Sequence, residues 1–385
     1  MPSRRRSPDK PGAGTPPRIF LSPPWVGREE RLAVERAFDS GYVAPCGPMV
    51  DEFERRIAAL AGRRFAVAVS SGTAAIDLLM SELGVDPSWT VIAPTLTFIA
   101  TVGPAWHRGA KPVFVDCDAS GCVDLTLLAK ALSDARRERR GTKSGGILYI
   151  GVDLYGRCCD HGAIAALCRR HGAVFVNDAA EAVGATWNGL PSGSAGFASV
   201  YSFNGNKIFT TSGGGALLTD DPGVAERARK RSQQSREPFP WYQHEEVGYN
   251  YRMSNILASV GLAQLAKLPR ILKARARNRA FYAARCRTLP SVEGENNWLT
   301  VALLGSSAGR DALLSRLAAA NIEARHVWKP LHLQPVFAGC RTYGGAVAER
   351  LFETGVCLPS GTGLTSADRR RIAACLGDDG TESAR

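Results

Sequence analysis

Residues 65–75, with the sequence FAVAVSSGTAA, join a short apolar run to a small polar turn that leads into a helical pattern. The run has the length and the valine content of a buried strand. Similar runs and candidate helices alternate after it: the runs lie at 90–93, 112–115, 147–150 and 173–176, and the helices at 73–83, 98–107, 125–139 and 164–171. This alternation predicts an α/β fold, with a mostly parallel central sheet and helices on both faces.

Two further strands, at 198–203 and 215–219, complete the predicted sheet. Residues 231–251 contain prolines, a tryptophan and tyrosines with little periodicity, and a loop of this length is usually functional. A long helix is predicted at 255–289, and a smaller α+β unit follows from Trp298. The expected organisation is therefore a basic arm at 1–17, a large domain at 18–253 and a smaller C-terminal α+β domain at 254–385.

The chain has 385 residues and a formal net charge of +12, part of which lies in the arginine-rich residues 1–17. This arm is predicted to be disordered, and no basic module with interleaved aromatics supports nucleic-acid binding. A basic body instead suits an anionic substrate. No stretch has the character of a membrane span or a secretory signal, so a cytoplasmic location is expected. The 10 cysteines are expected to be free thiols, and their spacing predicts no metal site.

Ligands of open α/β sheets bind at the carboxyl ends of the strands, so the residues directly after the predicted strands are the first candidates. After the first strand come Ser71, Gly72 and Thr73. Glycine lets the backbone approach a ligand, and the N–H groups at the start of the next helix can hold a phosphate. The alternative is that the serine and the threonine only cap the helix.

Two charged residues follow later strands. Asp178 comes after the run at 173–176, where a carboxylate needs a cationic or donor partner. A pyridinium nitrogen would satisfy it, and so would a structural ion pair or a role as helix N-cap. Lys207 lies in a small polar turn within YSFNGNKIFTT. Most lysines are surface residues, but this turn follows a buried strand at the same predicted sheet edge as Asp178.

Two more features belong to this edge. Phe98 can lie on a flat ring, although core packing explains most phenylalanines. The glycine run at 213–215 either lets the chain pass close to a bulky cofactor or forms a tight turn into the next strand. Together these features fit pyridoxal phosphate, which needs a lysine that binds it covalently, an acid facing the ring nitrogen, a phosphate cradle and a stacking side chain. Lys207 and Asp178 are the predicted catalytic residues.

From residue 21 to about residue 376, the chain resembles the DegT-like nucleotide-sugar aminotransferases, which have fold type I of the pyridoxal-phosphate-dependent transferases. The motifs that carry the resemblance are SGTAA at 71–75, TFIA at 97–100, GAKPVFVD at 109–116, LYG at 154–156, DAA at 178–180, SF at 202–203 and GYNYR at 248–252. The chain is most similar to the bacillosamine-pathway enzymes, which act on a UDP-linked 4-keto-6-deoxy-N-acetylglucosamine. The segments shared with that branch are GYVAP at 41–45, residues 201–215 and WKPLH at 328–332.

The resemblance implies a role for each matching residue. Lys207 would bind the cofactor covalently and move protons, and Asp178 would pair with the ring nitrogen. Glu181 would lie near the ring hydroxyl, and Phe98 would stack on the ring. The phosphate would be held by Gly72, Thr73 and Ser202.

The resemblance also implies contributions from the second half of the chain. Asn250 would reach the phosphate from a second copy, which implies a homodimer with shared active sites. Arg252 belongs to the same segment and is predicted to contact substrate. Lys329 and His332 are further candidates for substrate binding, although His332 is equally well explained as a packed histidine.

The implied reaction moves an amino group from L-glutamate to C4 of a UDP-linked 4-keto-6-deoxy-N-acetyl-hexosamine. The alternatives are another keto nucleotide sugar, aminated at C3 or linked to dTDP or GDP, and a non-catalytic regulator that binds pyridoxal phosphate. Lysine at position 207 argues against the family's sugar 3-dehydratases, which have histidine there. Two positions depart from many members: Glu181 stands where glutamine is common, and Asp153 stands where histidine is common. Asp153 bears on sugar preference if it contacts the substrate.

Overall fold

The computed structural model describes residues 16–139, 141 and 144–376, so that residues 1–15 of the predicted basic arm lie outside the described residues. The helices are α1 (Arg28–Asp39), α2 (Pro48–Ala61), α3 (Gly72–Leu83), α4 (Gly103–His107), α5 (Leu125–Glu138), α6 (His161–His171), α7 (Pro222–Ser232), α8 (Asn255–Ala283), α9 (Ser307–Ala319), α10 (Ala346–Thr354) and α11 (Ser366–Leu376). The strands are β1 (Phe65–Val69), β2 (Thr90–Pro94), β3 (Pro112–Val115), β4 (Ile147–Val152), β5 (Val174–Asp178), β6 (Thr186–Trp187), β7 (Leu190–Pro191), β8 (Ala198–Ser202), β9 (Gly215–Thr219), β10 (Thr300–Leu303), β11 (Arg325–His326), β12 (Thr342–Tyr343) and β13 (Gly355–Leu358).

The central sheet of the described chain has 8 strands, in the order β1-β9-β8-β5-β4-β2-β3-β12. β9 pairs antiparallel with β1 and β8, and the other neighbouring pairs are parallel. This arrangement confirms the predicted α/β fold with a mostly parallel sheet. β10, β13 and β11 form a separate antiparallel sheet, and β6 pairs with β7 in a hairpin.

Helices cover both faces of the sheet, which explains why its central strands are apolar along their whole length. Every residue of β4, β8 and β9 is buried. Because side chains alternate between the two faces of a strand, neighbouring residues of β4 enter different cores. Leu148 packs in one core with Ile76 of α3, whereas Tyr149 packs in another with Leu128 of α5 and Ile164 of α6.

Several elements differ from the prediction, among them α8, which ends at Ala283 rather than at residue 289. The expected helix at 98–107 is split into a 3₁₀ turn (Ile99–Thr101) and α4, because Pro104 is compatible with the first turn of a new helix but not with the interior of a continuing one. α6 begins at His161 rather than at 164, since the carboxylate of Asp160 caps it by accepting the N–H of Ala163 at 2.9 Å. β12, from the C-terminal part of the chain, adds to the edge of the central sheet beside β3.

Among the described helices, none combines the length and the apolar character that a membrane crossing requires.

Candidate active site

A cavity of about 280 Å³ opens where β1, β2, β4, β5 and β8 end. The carboxyl ends of these strands meet at one sheet edge because the strands are parallel. Most of the predicted cofactor-binding residues line this cavity: Gly72, Thr73, Phe98, Asp178, Glu181, Ser202 and Lys207. The structure therefore brings together residues that lie far apart in the chain.

The N-terminus of α3 forms one wall of the cavity. Ser71 is the N-cap, and its hydroxyl accepts the N–H of Ala74 at 3.0 Å. The first N–H groups of any helix lack a partner within the helix, so those of Gly72 and Thr73 are available to a ligand. A Cβ added to Gly72 would lie only 3.1 Å from the Cβ of Ser202. This wall can hold an anionic group such as a phosphate, and the serine caps the helix as well.

The glycine run at 213–215 brings β9 against this wall. A Cβ added to Gly215 would lie 2.5 Å from the nitrogen of Gly72 and 2.5 Å from the carbonyl carbon of Ser71. Because backbone atoms cannot give way as a flexible side chain can, this glycine is required by the close approach of two backbone segments. The close approach is to the backbone at the start of α3, and the glycine run does not line the cavity, so a passage close to a bulky cofactor stays a prediction.

Gly215→Ala should destabilise the protein, because the backbone at Ser71 and Gly72 would have to move. We expect the free energy of unfolding to fall by about 1–3 kcal/mol, the usual effect of overpacking. Urea unfolding measures the change, and the binding of an anion at the start of α3 should weaken with it. Gly305→Ala is the matched control, since no atom of the described residues lies within 4 Å of its added Cβ. Superimposable unfolding curves for Gly215→Ala and wild type would contradict the prediction.

Asp178, the last residue of β5, is buried beneath the cavity with 6% of its surface exposed. Thr101 Oγ1 donates to Oδ2 at 2.8 Å, and the N–H of Ala180 donates to Oδ1 at 3.1 Å. Within the described residues, no lysine, arginine or histidine forms an ion pair with this carboxylate. Burial raises the pKa of Asp178, against the opposing effect of the hydroxyl of Thr101. A protonated ring nitrogen would supply the missing cationic partner.

Lys207 and Glu181 meet at the floor of the cavity. The Nζ of Lys207 lies 3.4 Å from Oε1 of Glu181, and Oε2 of Glu181 accepts the N–H of Tyr155 at 2.7 Å. Burial raises the pKa of Glu181, and the positive charge of Lys207 is the main opposing influence. The side chain of Lys207 is 14% exposed. Its amine is therefore sheltered from bulk water but can be reached from the cavity.

Two residues at this site were missed by the sequence analysis. Thr101 donates a hydrogen bond to Asp178. The one feature of the nearby sequence that could have indicated it is Thr97, four positions earlier, whose hydroxyl lies 2.9 Å from that of Thr101. The Nζ of Lys207 lies 4.3 Å from the ring centre of Trp298, which is 1% exposed. Trp298 is distant in the chain and has no local signal that would have linked it to the lysine.

Four residues predicted to bind cofactor or substrate lie outside the wall of this cavity, and the first three are Asn250, Arg252 and Lys329. Asn250 is exposed in the loop before α8. Arg252 is buried, and its guanidinium forms an ion pair with Glu54. Lys329 is exposed.

His332 also lies outside the cavity wall, and both of its ring nitrogens have partners. Nδ1 lies 2.6 Å from Oγ1 of Thr95, and Nε2 lies 2.9 Å from Oε1 of Glu349. This geometry matches the packed histidine that the sequence left open as an alternative to substrate binding.

Asp153 is buried beside the cavity and does not line it. Its carboxylate accepts hydrogen bonds from Nδ2 of Asn177 at 2.8 Å and from the backbone N–H of Cys159 at 3.1 Å. One of its oxygens also lies 2.8 Å from Nε2 of His161. Asp153, His161 and Cys158 each present a potential metal ligand within 4.8 Å of the others. Because both carboxylate oxygens already accept hydrogen bonds, the group is well described as a polar network that joins β4, β5 and α6.

The donor set of the cavity fits pyridoxal phosphate. The start of α3 offers N–H groups to a phosphate, the amine of Lys207 can bind an aldehyde carbon, and buried Asp178 lacks the cation that a ring nitrogen would provide. Phe98 is 55% exposed, so one face of its ring is free to stack on a planar group. These residues can therefore hold the whole cofactor.

The comparison with known proteins agrees with this chemistry. A model of the DegT/DnrJ/EryC1/StrS aminotransferase family matches residues 24–377. EpsN of Bacillus subtilis (strain 168), whose name describes a pyridoxal phosphate-dependent aminotransferase, is 40% identical over 372 residues, which cover 93% of this chain and 95% of EpsN. GDP-perosamine synthase of Caulobacter vibrioides is 36% identical over 371 residues. The match covers 94% of this chain and 98% of the synthase.

A solved structure leads to the same assignment. The crystal structure of DesI in the presence of its TDP-sugar product has a TM-score of 0.79 and 30% sequence identity to this chain, and the match covers 94% of this chain and 93% of DesI. With the family match over most of the chain and the cavity described above, this protein belongs to the DegT/DnrJ/EryC1/StrS aminotransferase family and is a pyridoxal-phosphate-dependent aminotransferase.

Proposed function

We propose that this enzyme transfers the amino group of L-glutamate to C4 of a UDP-linked 4-keto-6-deoxy-N-acetyl-hexosamine. The observation that carries the transfer is the single cavity in which Lys207 meets Glu181 and Asp178 beside the start of α3. The sugar rests on the similarity of residues 41–45, 201–215 and 328–332 to the bacillosamine-pathway enzymes.

The residues of the cavity divide the work of holding the cofactor. Asp178 would keep a proton on the ring nitrogen, which would make the ring a better electron acceptor. Phe98 would cover one face of the ring, and Glu181 would lie near the ring hydroxyl. Gly72, Thr73 and Ser202 would hold the phosphate. When bound, pyridoxal phosphate supplies the sink for the electron pair of the carbon–hydrogen bond that breaks.

Lys207 moves the proton in both halves of a two-step reaction. Its Nζ would take the proton from the α-carbon of glutamate and hold it for return on the cofactor side, and one water would be consumed as 2-oxoglutarate is released. In the second half the same nitrogen would move a proton in the opposite direction, to C4 of the sugar. Glu181 Oε1, at 3.4 Å, keeps the amine directed into the cavity during both steps.

We also propose a homodimer in which Asn250 of each chain reaches the phosphate of the other site. The supporting observation is the loop that contains this residue, because it exposes large apolar side chains. Trp241 is 58% exposed, Tyr242 79% and Val247 96%. Exposed apolar groups that lie close together favour a protein contact, and symmetric dimers are the commonest such contact.

The residues predicted to contact substrate differ in whether they already have partners within the chain. Lys329 is an exposed cation and suits an anionic nucleotide. Arg252 and His332 have partners within the chain, in Glu54 and Glu349 respectively, so that substrate binding would require them to leave those partners. Their roles in substrate binding stay predictions.

A GDP-linked keto sugar is the second candidate substrate. GDP-perosamine synthase of Caulobacter vibrioides is similar to this chain over nearly its whole length, and its name gives a GDP-linked product. The two candidates share the cofactor, the amino donor and the role of Lys207, and they differ in the nucleotide.

A two-stage assay tests the function. Enzyme loaded with pyridoxal phosphate is first mixed with L-glutamate, and we expect the absorbance of the bound cofactor to change as 2-oxoglutarate is released. The aminated enzyme is then mixed with keto sugars linked to UDP, GDP or dTDP. We expect kcat/KM for the UDP sugar to exceed that for the others by about 10-fold or more, a difference of about 1.4 kcal/mol. A preference for the GDP sugar would replace the first candidate with the second, and no release of 2-oxoglutarate would contradict glutamate as donor.

A further inference from the structure

Four cysteines lie close together where the segments after β3 and β4 meet, and the reaction proposed above uses none of them. Cys117 and Cys122 follow β3, and Cys158 and Cys159 follow β4. Cys117 packs in one apolar core with Cys158, and Cys122 packs against another core that contains Cys159. All four are free thiols. Neighbouring thiols can form a disulfide with each other, which a thiol without such a neighbour cannot do.

Cys122 and Cys159 are in direct contact. The thiol of Cys159 is a hydrogen-bond donor to the sulfur of Cys122, and the N–H of Val123 donates to the sulfur of Cys159. The sulfur of Cys122 also lies 4.0 Å from the carbonyl oxygen of Cys158. Cβ atoms joined by a disulfide lie about 3.5–4.5 Å apart, so two thiols that already share a hydrogen bond need little movement to form one.

Cys122 differs from the other three cysteines in its exposure and in its hydrogen bonds. It is only partly buried, whereas Cys117, Cys158 and Cys159 are buried. The hydrogen bond from Cys159 lowers the pKa of Cys122, and the hydroxyl of Ser120 acts in the same direction, against the effect of burial. The thiolate is the form of cysteine that attacks an oxidant, so Cys122 should be the first thiol of this cluster to react.

A guanidinium group adds to the stabilisation of a Cys122 thiolate. The side chain of Arg157 is 4% exposed, and it interacts electrostatically with Cys122. Its Nη1 donates to the carbonyl of Ser120 at 2.7 Å, which holds it beside the segment that contains Cys122. Glu295 pairs with the same guanidinium at 3.4 Å, so the positive charge is shared rather than fully available to the thiol. A nearby arginine is typical of reactive cysteines.

The two cysteines after β4 have different surroundings. Burial raises the pKa of Cys158, and the carboxylate of Asp153 raises it further. The sulfur of Cys158 belongs to the polar network of Asp153 and His161, within 4.8 Å of their ligand atoms. The sulfur of Cys159 instead lies 3.3 Å from the carbonyl oxygen of Val152, and it contacts Cys122. Cys159 is therefore the second thiol of the pair.

We propose that Cys122 and Cys159 are a redox-sensitive pair that a hydroperoxide converts to a disulfide. The sulfur of Cys122 attacks the peroxide, a sulfur–oxygen bond forms as the oxygen–oxygen bond breaks, and one water leaves. The sulfur of Cys159 then attacks the sulfenic acid, the sulfur–sulfur bond forms, and the departing hydroxide takes the proton of Cys159 as a second water. The two thiols lose two electrons, which reduce the peroxide.

This disulfide would join a segment of the site to a segment outside it. The segment at 153–159 includes Tyr155, whose N–H holds Glu181 beside Lys207. The segment at 117–123 contributes no residue to the wall of the cavity. A second thiol beside the sulfenic acid also protects it from further oxidation, because a disulfide can be reduced whereas a sulfinic acid is irreversible in most proteins.

Peptide mapping of the full-length enzyme tests the pair without any assay of turnover. The enzyme is treated with hydrogen peroxide, its remaining thiols are alkylated, and it is digested without reduction by a protease that cleaves before aspartate. The peptide at 118–123 then contains Cys122 as its one cysteine, and the peptide at 153–159 contains Cys158 and Cys159. We expect the two peptides to be linked, with the loss of two hydrogen atoms in mass, and to separate after treatment with dithiothreitol.

Two serine variants identify the second thiol, and thermal unfolding of each reduced protein verifies its fold. Cys158→Ser should keep the linked peptides. Cys159→Ser should lose them completely, and the sulfur of Cys122 should gain two oxygen atoms instead. Serine is nearly the size of cysteine and can still donate a hydrogen bond to Cys122. A link that persists in Cys159→Ser, or that disappears in Cys158→Ser, would overturn the assignment.

Cys340 provides the matched control for reactivity. It is likewise partly buried, but it packs against a different core, and burial raises the pKa of its thiol. In the wild-type enzyme Cys122 should lose its free thiol at least about 10-fold faster than Cys340, since the thiolate is the reactive form. Cys340→Ser should form the linked peptides at the wild-type rate. Equal rates at the two cysteines, or a Cys122 that stays free in the wild-type digest, would refute the inference.

Discussion

A Lys207→Ala enzyme should fold normally and lose aminotransferase turnover. In our proposal Lys207 Nζ both binds the cofactor and carries the proton in each half-reaction, and among the described residues no other lysine lines the cavity. One positioned acid–base group contributes about 10²–10⁴-fold in rate, so the loss should be at least that large. The measurement is the rate of 2-oxoglutarate release in a single turnover with L-glutamate, together with thermal unfolding to verify the fold.

A readout that does not depend on turnover makes this prediction specific. Borohydride reduction of the wild-type enzyme with its cofactor should add the mass of the reduced cofactor to the peptide that contains Lys207. The variant should show no such adduct. Lys111→Ala is the control, because Lys111 is exposed and precedes β3 at the opposite edge of the sheet. Near-normal turnover in Lys207→Ala, or an adduct on another lysine of the wild-type enzyme, would refute the assignment.

An Asp178→Asn enzyme should be less active but more stable without cofactor. The amide cannot keep a proton on the ring nitrogen, so turnover should fall by about 10²-fold or more, the lower end of what one positioned proton-holding group contributes. The affinity for pyridoxal phosphate should fall as well, since the buried carboxylate would no longer meet a cationic ring. Titration of the variant with the cofactor and the glutamate half-reaction measure the two losses separately.

The gain in stability follows from the direction of the pKa shift. Burial raises the pKa of Asp178, so the folded protein holds a proton at pH values where the unfolded chain has lost it. Its contribution to the free energy of unfolding is therefore largest below the ordinary carboxyl pKa and is lost as pH rises through the raised pKa. Above that window the wild type contains a buried charge that forms no ion pair within the described residues, and the amide avoids this charge. We expect the cofactor-free variant to be more stable at neutral pH, on the order of 1 kcal/mol.

Thermal unfolding between pH 4 and pH 8, with and without cofactor, tests this linkage. Saturating pyridoxal phosphate should stabilise the wild type more than the variant and so reverse their order. Asp39→Asn removes an exposed carboxylate on α1 and should change neither the pH dependence nor the response to cofactor. A cofactor-free Asp178→Asn protein that unfolds below the wild type at neutral pH would contradict the account of the buried charge.

Most of the sheet and much of the site could be predicted from local patterns. Each element can be recognised from a few consecutive residues. This holds for the apolar run of a buried strand, for the turn after it and for the helix that follows. The rule that parallel strands end at one edge then placed Gly72, Phe98, Asp178 and Lys207 in one site. The structure shows all four around a single cavity. The order and direction of the strands were enough to bring these residues together. No side-chain contact had to be known in advance.

The contacts made between distant elements were set by packing alone. Thr101 donates to Asp178 because a 3₁₀ turn after β2 lies beside the end of β5, and Trp298 reaches Lys207 because the C-terminal part of the chain packs over that edge. His332 pairs with Thr95 and Glu349 for the same kind of reason. Sequence periodicity reports which face of an element is apolar, but not which side chain from another element will meet it. The residues proposed to carry the reaction could therefore be predicted from the chain, whereas the partners that hold them depended on how distant elements pack against one another.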